Sequence, residues 1–266
     1  MTTAQTKPRT IAILQARMGS TRLPGKVLLP AAGKPLIEHM IERVRRAKTL
    51  DGLWLATSVD TVNDPLADCV DALGVPVFRG DENDVLSRYA TVAQQAQADV
   101  VVRLTGDCPL HDPDVIDETV GIMLSRLDEI DYASNSLQAT YPDGLDVEVF
   151  TRAALDRAQR EASTQLQREH VTPFIHRYQD GPGPFRVLHV HGRADFSHLR
   201  WTVDEPADYE FVRRIFDTLY PVRPDFGWLD VLALLTRQPE LLTYNSHIVR
   251  NEGYIKALHS QISESP

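Results

Sequence analysis

Thr10-Ile-Ala-Ile-Leu-Gln-Ala16 runs directly into Arg17-Met-Gly-Ser-Thr-Arg-Leu-Pro-Gly-Lys26, and the junction of these two stretches decides how the chain is read. The first is a short apolar run, the pattern of a strand covered on both faces. The second places three cations, two glycines and two hydroxyls within the eleven residues from Ala16 to Lys26. Glycine lets a backbone approach a phosphate closely, and amides and hydroxyls donate to its oxygens. Arginine adds a forked donor and lysine a point charge. The spacing is not that of a P-loop, which has four residues between its glycines and Ser or Thr after the lysine. Here five separate Gly19 from Gly25, and Val27 follows Lys26. A solvated basic loop is the plain alternative, but three cations converging on a strand end call for an anion.

Outward from this junction, strands and helices alternate. Leu36, Ile37, Met40, Ile41 and Val44 recur at helical spacing, with Pro35 placed for a first helical turn. Leu53–Val59 reads as a second strand, Leu66–Leu73 as a helix capped by Gly74, and Val75–Phe78 as a third strand. Asp84–Ala98 reads as a helix and Val100–Leu104 as the most apolar strand. Farther on, Asp146–Phe150, Phe185–Val190 and Leu199–Val203 read as strands. Gln167–Tyr178, Pro206–Leu219 and Leu229–Leu235 read as helices, and Gln179–Pro184 as a loop tip. This alternation predicts a three-layer α/β fold with a largely parallel, mixed sheet, and a ligand at the carboxyl ends of its strands.

Composition narrows the function. A formal net charge of −9 disfavours an extended nucleic-acid surface but leaves room for a small phosphate ligand. No run approaches the roughly 20 apolar residues that span a bilayer, and the first ten residues carry no apolar signal core. Cys69 and Cys108 make no disulfide framework and read as two reduced thiols. A cytoplasmic protein is expected, a single domain over residues 1–266.

Two acidic strand ends stand out. Asp107, in Arg103-Leu-Thr-Gly-Asp-Cys-Pro-Leu110, follows the most apolar strand, and Asp204 lies in Trp201-Thr-Val-Asp-Glu-Pro206. Either alone reads equally as a turn or helix cap. Beside a phosphate loop they make a pair of hard oxygen ligands, as Mg²⁺ takes together with phosphate oxygens and water. Glu205 is a weaker candidate behind them. A competing Asp-x-Asp, at Asp112 and Asp114, would suit a glycosyltransferase that consumes a nucleotide-sugar. Pro113 at a first helical position instead makes Asp112 an N-cap and Asp114 a first-turn acid. In Tyr141-Pro-Asp-Gly-Leu-Asp-Val-Glu148, a turn leads into a strand with Asp146 and Glu148 on one face. That is either a half-exposed strand or a polar wall for an acceptor's hydroxyls.

The segment ARMGSTRLPGKVLLPAAGKPLIEHMIERV resembles the opening of the cytidylyltransferases that activate sugar acids, the CMP-ketodeoxyoctulosonate and CMP-sialate synthetases. With RLTGDCPL, YPDGLDVEVF, REHVTPFI and RWTVDEPADYE the resemblance covers most of the chain and is similar in particular to the spore-coat-polysaccharide, SpsF-like branch. It implies a nucleotide-diphospho-sugar transferase fold of Rossmann-like layering. CTP and a small acceptor are the implied partners, with pyrophosphate released. The loop from Ala16 through Gly19 and Thr21 would hold the triphosphate, with Arg17, Ser20, Arg22 and Lys26 in contact. The resemblance implies the same metal pair, Asp107 and Asp204. It puts Arg168, Glu169 and His170 near the acceptor, beside the wall of Asp143, Asp146 and Glu148. Gly80 and Asp81 are candidates for the base pocket. The resemblance further implies a homodimer, paired through an arm within residues 136–198.

Overall fold

The structure, a computed structural model, describes residues 7–177, 179–248 and 250. The first strand, β1 (Thr10–Gln15), leads into the basic loop and a short 3₁₀ turn at Lys26–Leu28. A small hairpin follows, β2 (Pro30–Ala31) against β3 (Lys34–Pro35), then α1 (Leu36–Val44). Pro35 thus closes the hairpin one place before the helix. Next come β4 (Gly52–Ser58), α2 (Asp64–Ala72), β5 (Val77–Gly80), α3 (Val85–Gln95) and β6 (Val100–Thr105). The second half supplies α4 (Pro113–Ser125), β7 (Tyr132–Ser134), β8 (Glu148–Thr151), α5 (Arg152–Glu161), α6 (Gln165–His170) and α7 (Pro173–His176). Strand β9 (Val187–His189) and helices α8 (Pro206–Leu219) and α9 (Trp228–Arg237) complete it.

The seven-stranded sheet has the order β5-β4-β1-β6-β8-β7-β9. Only β8 runs against its neighbours. The chain steps outward from β1 to β4 and β5, then returns to place β6 on the other side of β1. That reversal opens a crevice at the carboxyl ends of β1 and β6, where α/β sheets bind ligands.

Side-chain alternation builds the three layers. In β1, Ala12 and Leu14 pack with residues of α1, α2, α4, α8 and α9, while Ile11 and Ile13 face those of α3, α5 and α7. In β6, Val100, Val102 and Leu104 take the first face and Val101 the second. Both faces are covered, so these strands read as continuous apolar runs. The period places Arg103 on the α3 face, in an otherwise apolar wall. Among the described residues no helix is long and apolar enough to cross a membrane.

Three expectations need correction. The helix expected over Gln167–Tyr178 is two short ones, because Pro173 cannot continue the first and Val171 adopts a left-handed φ of 70° between them; Tyr178 itself lies outside the described residues. Leu199–Val203 is extended but, among the described residues, forms no ladder strand, only one bridge, Asp143 to Arg200. Asp204 does not cap α8: Glu205 is the N-cap, and Asp208 takes the backbone N–H groups of both Asp204 and Glu205, each at 3.0 Å. The capping reading of Asp112 is borne out. Its carboxylate accepts from Asp114 N at 3.0 Å and Trp228 N at 2.8 Å and is buried against Arg43.

Candidate active site

Two adjoining cavities, of about 320 and 330 Å³, open at the crevice. The first lies over the basic loop and takes Ala16, Arg17, Ser20, Thr21, Arg22 and Lys26 into its wall. The second lies toward β8 and is bordered by Asp143, Asp146 and Glu148. Arg22, Arg103, Thr105, Asp107, His170 and Asp204 border both, and so mark the junction.

The two aspartates meet through Lys26. Its Nζ lies 2.8 Å from Asp204 Oδ1 and 4.0 Å from Asp107 Oδ2, and donates at 2.7 Å to the Val203 carbonyl. Backbone contacts set this up. Gly106 N donates to Gln15 O at 2.7 Å, tying the two strand ends, and a Cβ at Gly106 would stand 2.6 Å from that of Ala16. Asp107 O accepts from Val203 N at 2.7 Å and Thr202 Oγ1 at 3.0 Å, which brings Asp204 alongside. Burial pushes the Asp107 carboxyl upward, but Lys26 and the Thr105 hydroxyl outweigh it, so it stays ionised below its ordinary range.

Arg22 lies 3.2 Å from Asp204 and 3.4 Å from Glu205. Arg17 donates at 2.8 Å to Glu82, which also accepts from Ser58 Oγ at 2.5 Å. The Ser20 hydroxyl accepts from Leu23 N at 3.3 Å and shapes the loop. A carboxylate thus faces Arg17, Arg22 and Lys26 in turn, each in a position that a bound anion would contest.

On the other side of the junction, Asp143 pairs with Arg200 at 3.1 Å and Asp146 with Arg250 at 2.7 Å. Burial raises both carboxyls, Asp146 to about 7, with Arg250 opposing and the neighbouring Asp143 adding to the shift. Glu148 is not a free hydroxyl acceptor on a strand face. It is buried, ion-paired with Arg103, and accepts from Tyr132 Oη at 2.6 Å and Thr172 Oγ1 at 2.5 Å. Burial raises this carboxyl too, but Arg103 and the two hydroxyls hold it below its ordinary range. His170 borders both cavities and burial keeps it neutral, with Arg103 adding to the downward shift.

Some expected residues lie elsewhere. Arg168 turns away to Asp84 and the Gln159 carbonyl, and Glu169 borders the loop-side cavity instead of the acceptor side. Gly19, Gly80 and Asp81 border neither cavity. Gly80 lies beneath Arg88, whose Cγ would stand 2.9 Å from an added Cβ, and Asp81 closes a turn by accepting from Asn83 N at 2.7 Å. Arg88, Arg103 and Arg200 were missed. In the sequence they are ordinary cations of a helix, a strand and a loop; only a charge inside an apolar strand, as at Arg103, was a visible signal.

A phosphate-suited basic loop at the switch point of a mostly parallel sheet, with two aspartates at its edge, defines a nucleotide-binding α/β enzyme. The chain belongs to the cytidylyltransferase family, whose pattern it matches over residues 11–215, and it is an enzyme of that class. It is 34% identical to the spore coat polysaccharide biosynthesis protein SpsF of Bacillus subtilis, over 87% of this chain and 95% of that one. It is 31% identical to a 3-deoxy-manno-octulosonate cytidylyltransferase of Anaeromyxobacter sp. strain K, over 67% of this chain and 69% of that one. A cytidylyltransferase structure from Leptospira borgpetersenii superposes with a TM-score of 0.83 at 30% identity, covering 88% of this chain and 97% of that one.

Proposed function

We propose that the protein transfers CMP from CTP to a hydroxyl of a sugar, sugar acid or related small acceptor, with Mg²⁺ required, as a step in making a surface polysaccharide. The observation that carries the reading is the junction itself: Arg22, Asp107 and Asp204 stand where the loop-side and β8-side cavities meet, with Lys26 of the loop-side cavity between the two aspartates. In the reaction the acceptor oxygen forms a bond to the α-phosphorus of CTP. The bond from that phosphorus to the bridging oxygen breaks, and pyrophosphate leaves with the electron pair. The acceptor's proton is released. Arg17, Arg22 and Lys26 stabilise the charge gathered on the transferred and departing phosphates, and Ser20 and the loop amides hold them in place.

The donor set suits a divalent cation. Asp107 and Asp204 are hard anionic ligands that flank one point now held by the Lys26 ammonium. Among the described residues no group of three or more His, Cys, Asp or Glu is gathered for a metal. A two-carboxylate site completed by phosphate oxygens and water is what Mg²⁺ commonly takes. When bound, the cation would polarise the α-phosphate and orient the leaving group, and Lys26 would be freed to donate to phosphate oxygen. Spore-coat and octulosonate relatives support a sugar or sugar-acid acceptor.

Pyrophosphate release is the test, with each of the four NTPs, Mg²⁺ and a pool of sugars and sugar acids. CTP is expected to support turnover and to bind tightest by calorimetry; equal affinity for all four would remove the cytidylyl assignment. Asp107→Asn and Asp204→Asn should each cut turnover about 100-fold or more, the scale for losing preorganised charge stabilisation, with partial rescue by excess Mg²⁺ or Mn²⁺. Near-wild-type activity of Asp204→Asn at low Mg²⁺ would remove the second metal ligand.

A further inference from the structure

Arg200 stands at the centre of a buried cluster of carboxylates. Its guanidinium commits every nitrogen: Nε donates to Asp208 at 2.9 Å, Nη1 to Asp143 at 3.1 Å, and Nη2 to Asp208 at 2.9 Å and Asp204 at 3.2 Å. Backbone contacts clamp the residue on both sides. Asp143 N donates to Leu199 O at 2.9 Å, and Trp201 N donates to Asp143 O at 2.6 Å. Asp208 is fully buried and holds more than this arginine: it also accepts from Asp204 N and Glu205 N, each at 3.0 Å, and from Asn245 Nδ2 at 2.9 Å. The same Asn245 amide donates to the Arg200 carbonyl at 3.0 Å.

This cluster makes the two oxygens of Asp204 unequal. Oδ1 faces Lys26 Nζ at 2.8 Å, toward Asp107. Oδ2 faces Nη2 of Arg200 and Nη2 of Arg22, each at 3.2 Å. The two guanidiniums differ in how firmly they stay. Arg22 belongs to the phosphate loop and its side chain is 36% exposed, so a bound triphosphate can draw it away. The Arg200 side chain is 6% exposed, and its remaining donors are taken by Asp208 and Asp143. Neutralising Asp208 and Asp143 would not require the further contact to Asp204.

We propose that Arg200, held by Asp208 and Asp143, is a positioning residue that keeps one oxygen of Asp204 occupied and so limits this carboxylate to single-oxygen ligation of the divalent cation, selecting Mg²⁺ over Ca²⁺. The inference rests on the metal-assisted cytidylyl-transfer reading above. Mg²⁺ is small, demands near-octahedral geometry and takes one or two carboxylates together with phosphate oxygens and water. Ca²⁺ gathers about six to eight oxygens and takes a carboxylate through one oxygen or both. Turning Asp204 Oδ2 toward the cation would break a charge-assisted hydrogen bond from a buried guanidinium that has no water to turn to. That penalty falls on Ca²⁺ and spares Mg²⁺.

The test is calorimetric titration of the whole chain with Mg²⁺, Mn²⁺ and Ca²⁺, the nucleotide site being filled with the α,β-methylene analogue of CTP. Each affinity is compared with that of the free analogue for the same cation. Wild type should favour Mg²⁺ and Mn²⁺ over Ca²⁺ by about 10-fold or more beyond the analogue's own preference, the scale of one hydrogen bond to a charged group. Arg200→Met should shrink that ratio about 10-fold. Losing a positive charge favours every cation alike, so the ratio is read and not any single affinity. Arg200→Lys keeps the charge and loses the fork; it should shrink the ratio in the same direction, and it carries the test if Arg200→Met does not fold. Asp204→Asn should weaken all three cations. The proposal is overturned if the wild-type ratio matches that of the free analogue, if the Arg200 variants keep the wild-type ratio, or if they weaken the three cations equally. With the analogue bound and Asp204→Asn weakening every cation, those results would overturn the role of Arg200 alone. Failure of the wild type to bind the analogue, or unchanged cation affinities in Asp204→Asn, would overturn the reading above and this proposal with it.

Discussion

Asp146 is a carboxylate that folding disfavours, and that makes it measurable. Burial raises its pKa from 3.8 to about 7, with Arg250 opposing and Asp143 reinforcing the rise. A carboxyl whose folded pKa is raised contributes stability that is fully present below its unfolded pKa and is lost as pH rises through the folded value. Taken at face value the shift corresponds to roughly 4 kcal/mol, of which about 3 falls between pH 5 and pH 8. The side chain keeps 25% of its surface exposed, so solvent screening reduces this to about 1–1.5 kcal/mol. For a chain of this size that is about 2–5 °C in Tm. Asp146→Asn removes the titration and keeps the shape. Groups away from Asp146 titrate alike in both proteins and cancel in the comparison, including buried His111, whose pKa burial lowers to about 4. Thermal unfolding of both proteins at pH 5 and pH 8 is the assay. The advantage of the variant over wild type should grow by about 2–5 °C from pH 5 to pH 8. A difference that stays level across that range refutes the raised pKa.

Arg22→Ala and Lys26→Ala should each lower pyrophosphate release about 100- to 1,000-fold while moving Tm by only a few degrees, because both act on developing phosphate charge; wild-type rates in both would refute the phosphate cradle. Gly144→Ala should destabilise the fold by more than about 2 kcal/mol in urea titration. Gly144 has a φ of 107°, and an added Cβ would stand 2.7 Å from the backbone of Trp201 and Thr202, in the segment that delivers Asp204. An unchanged midpoint would show that this turn does not position the segment.

The basic loop was legible because it is contiguous: Arg17, Ser20, Arg22 and Lys26 lie within ten residues, and their chemistry does not depend on what folds above them. The pairing of Asp107 with Asp204 rests in sequence on the ligand chemistry of two acidic strand ends and on the family resemblance, and one of those ends belongs to an extended segment held, among the described residues, by a single bridge. What holds it is a set of backbone contacts to Asp107 and Asp143, invisible in side-chain pattern. Glu148 lines the expected side of the cleft, but its carboxylate is taken up by Arg103, Tyr132 and Thr172. Period-two alternation says which face a residue takes; it does not say that a cross-strand arginine waits there.

By itself the sequence determined the local and periodic features: the alternation of strands and helices from β1 to β6, the caps at Asp112 and Gly74, and a phosphate-suited loop after the first strand. Each follows from residues within a few positions of one another. The tertiary structure decided everything that depends on which distant segments meet. It set Lys26 between two aspartates that lie 97 residues apart in sequence, put Arg103 opposite Glu148, and turned Arg168 out of the cleft. Those meetings are fixed by sheet order and by β8, which runs against both of its neighbours, and no local pattern encodes either.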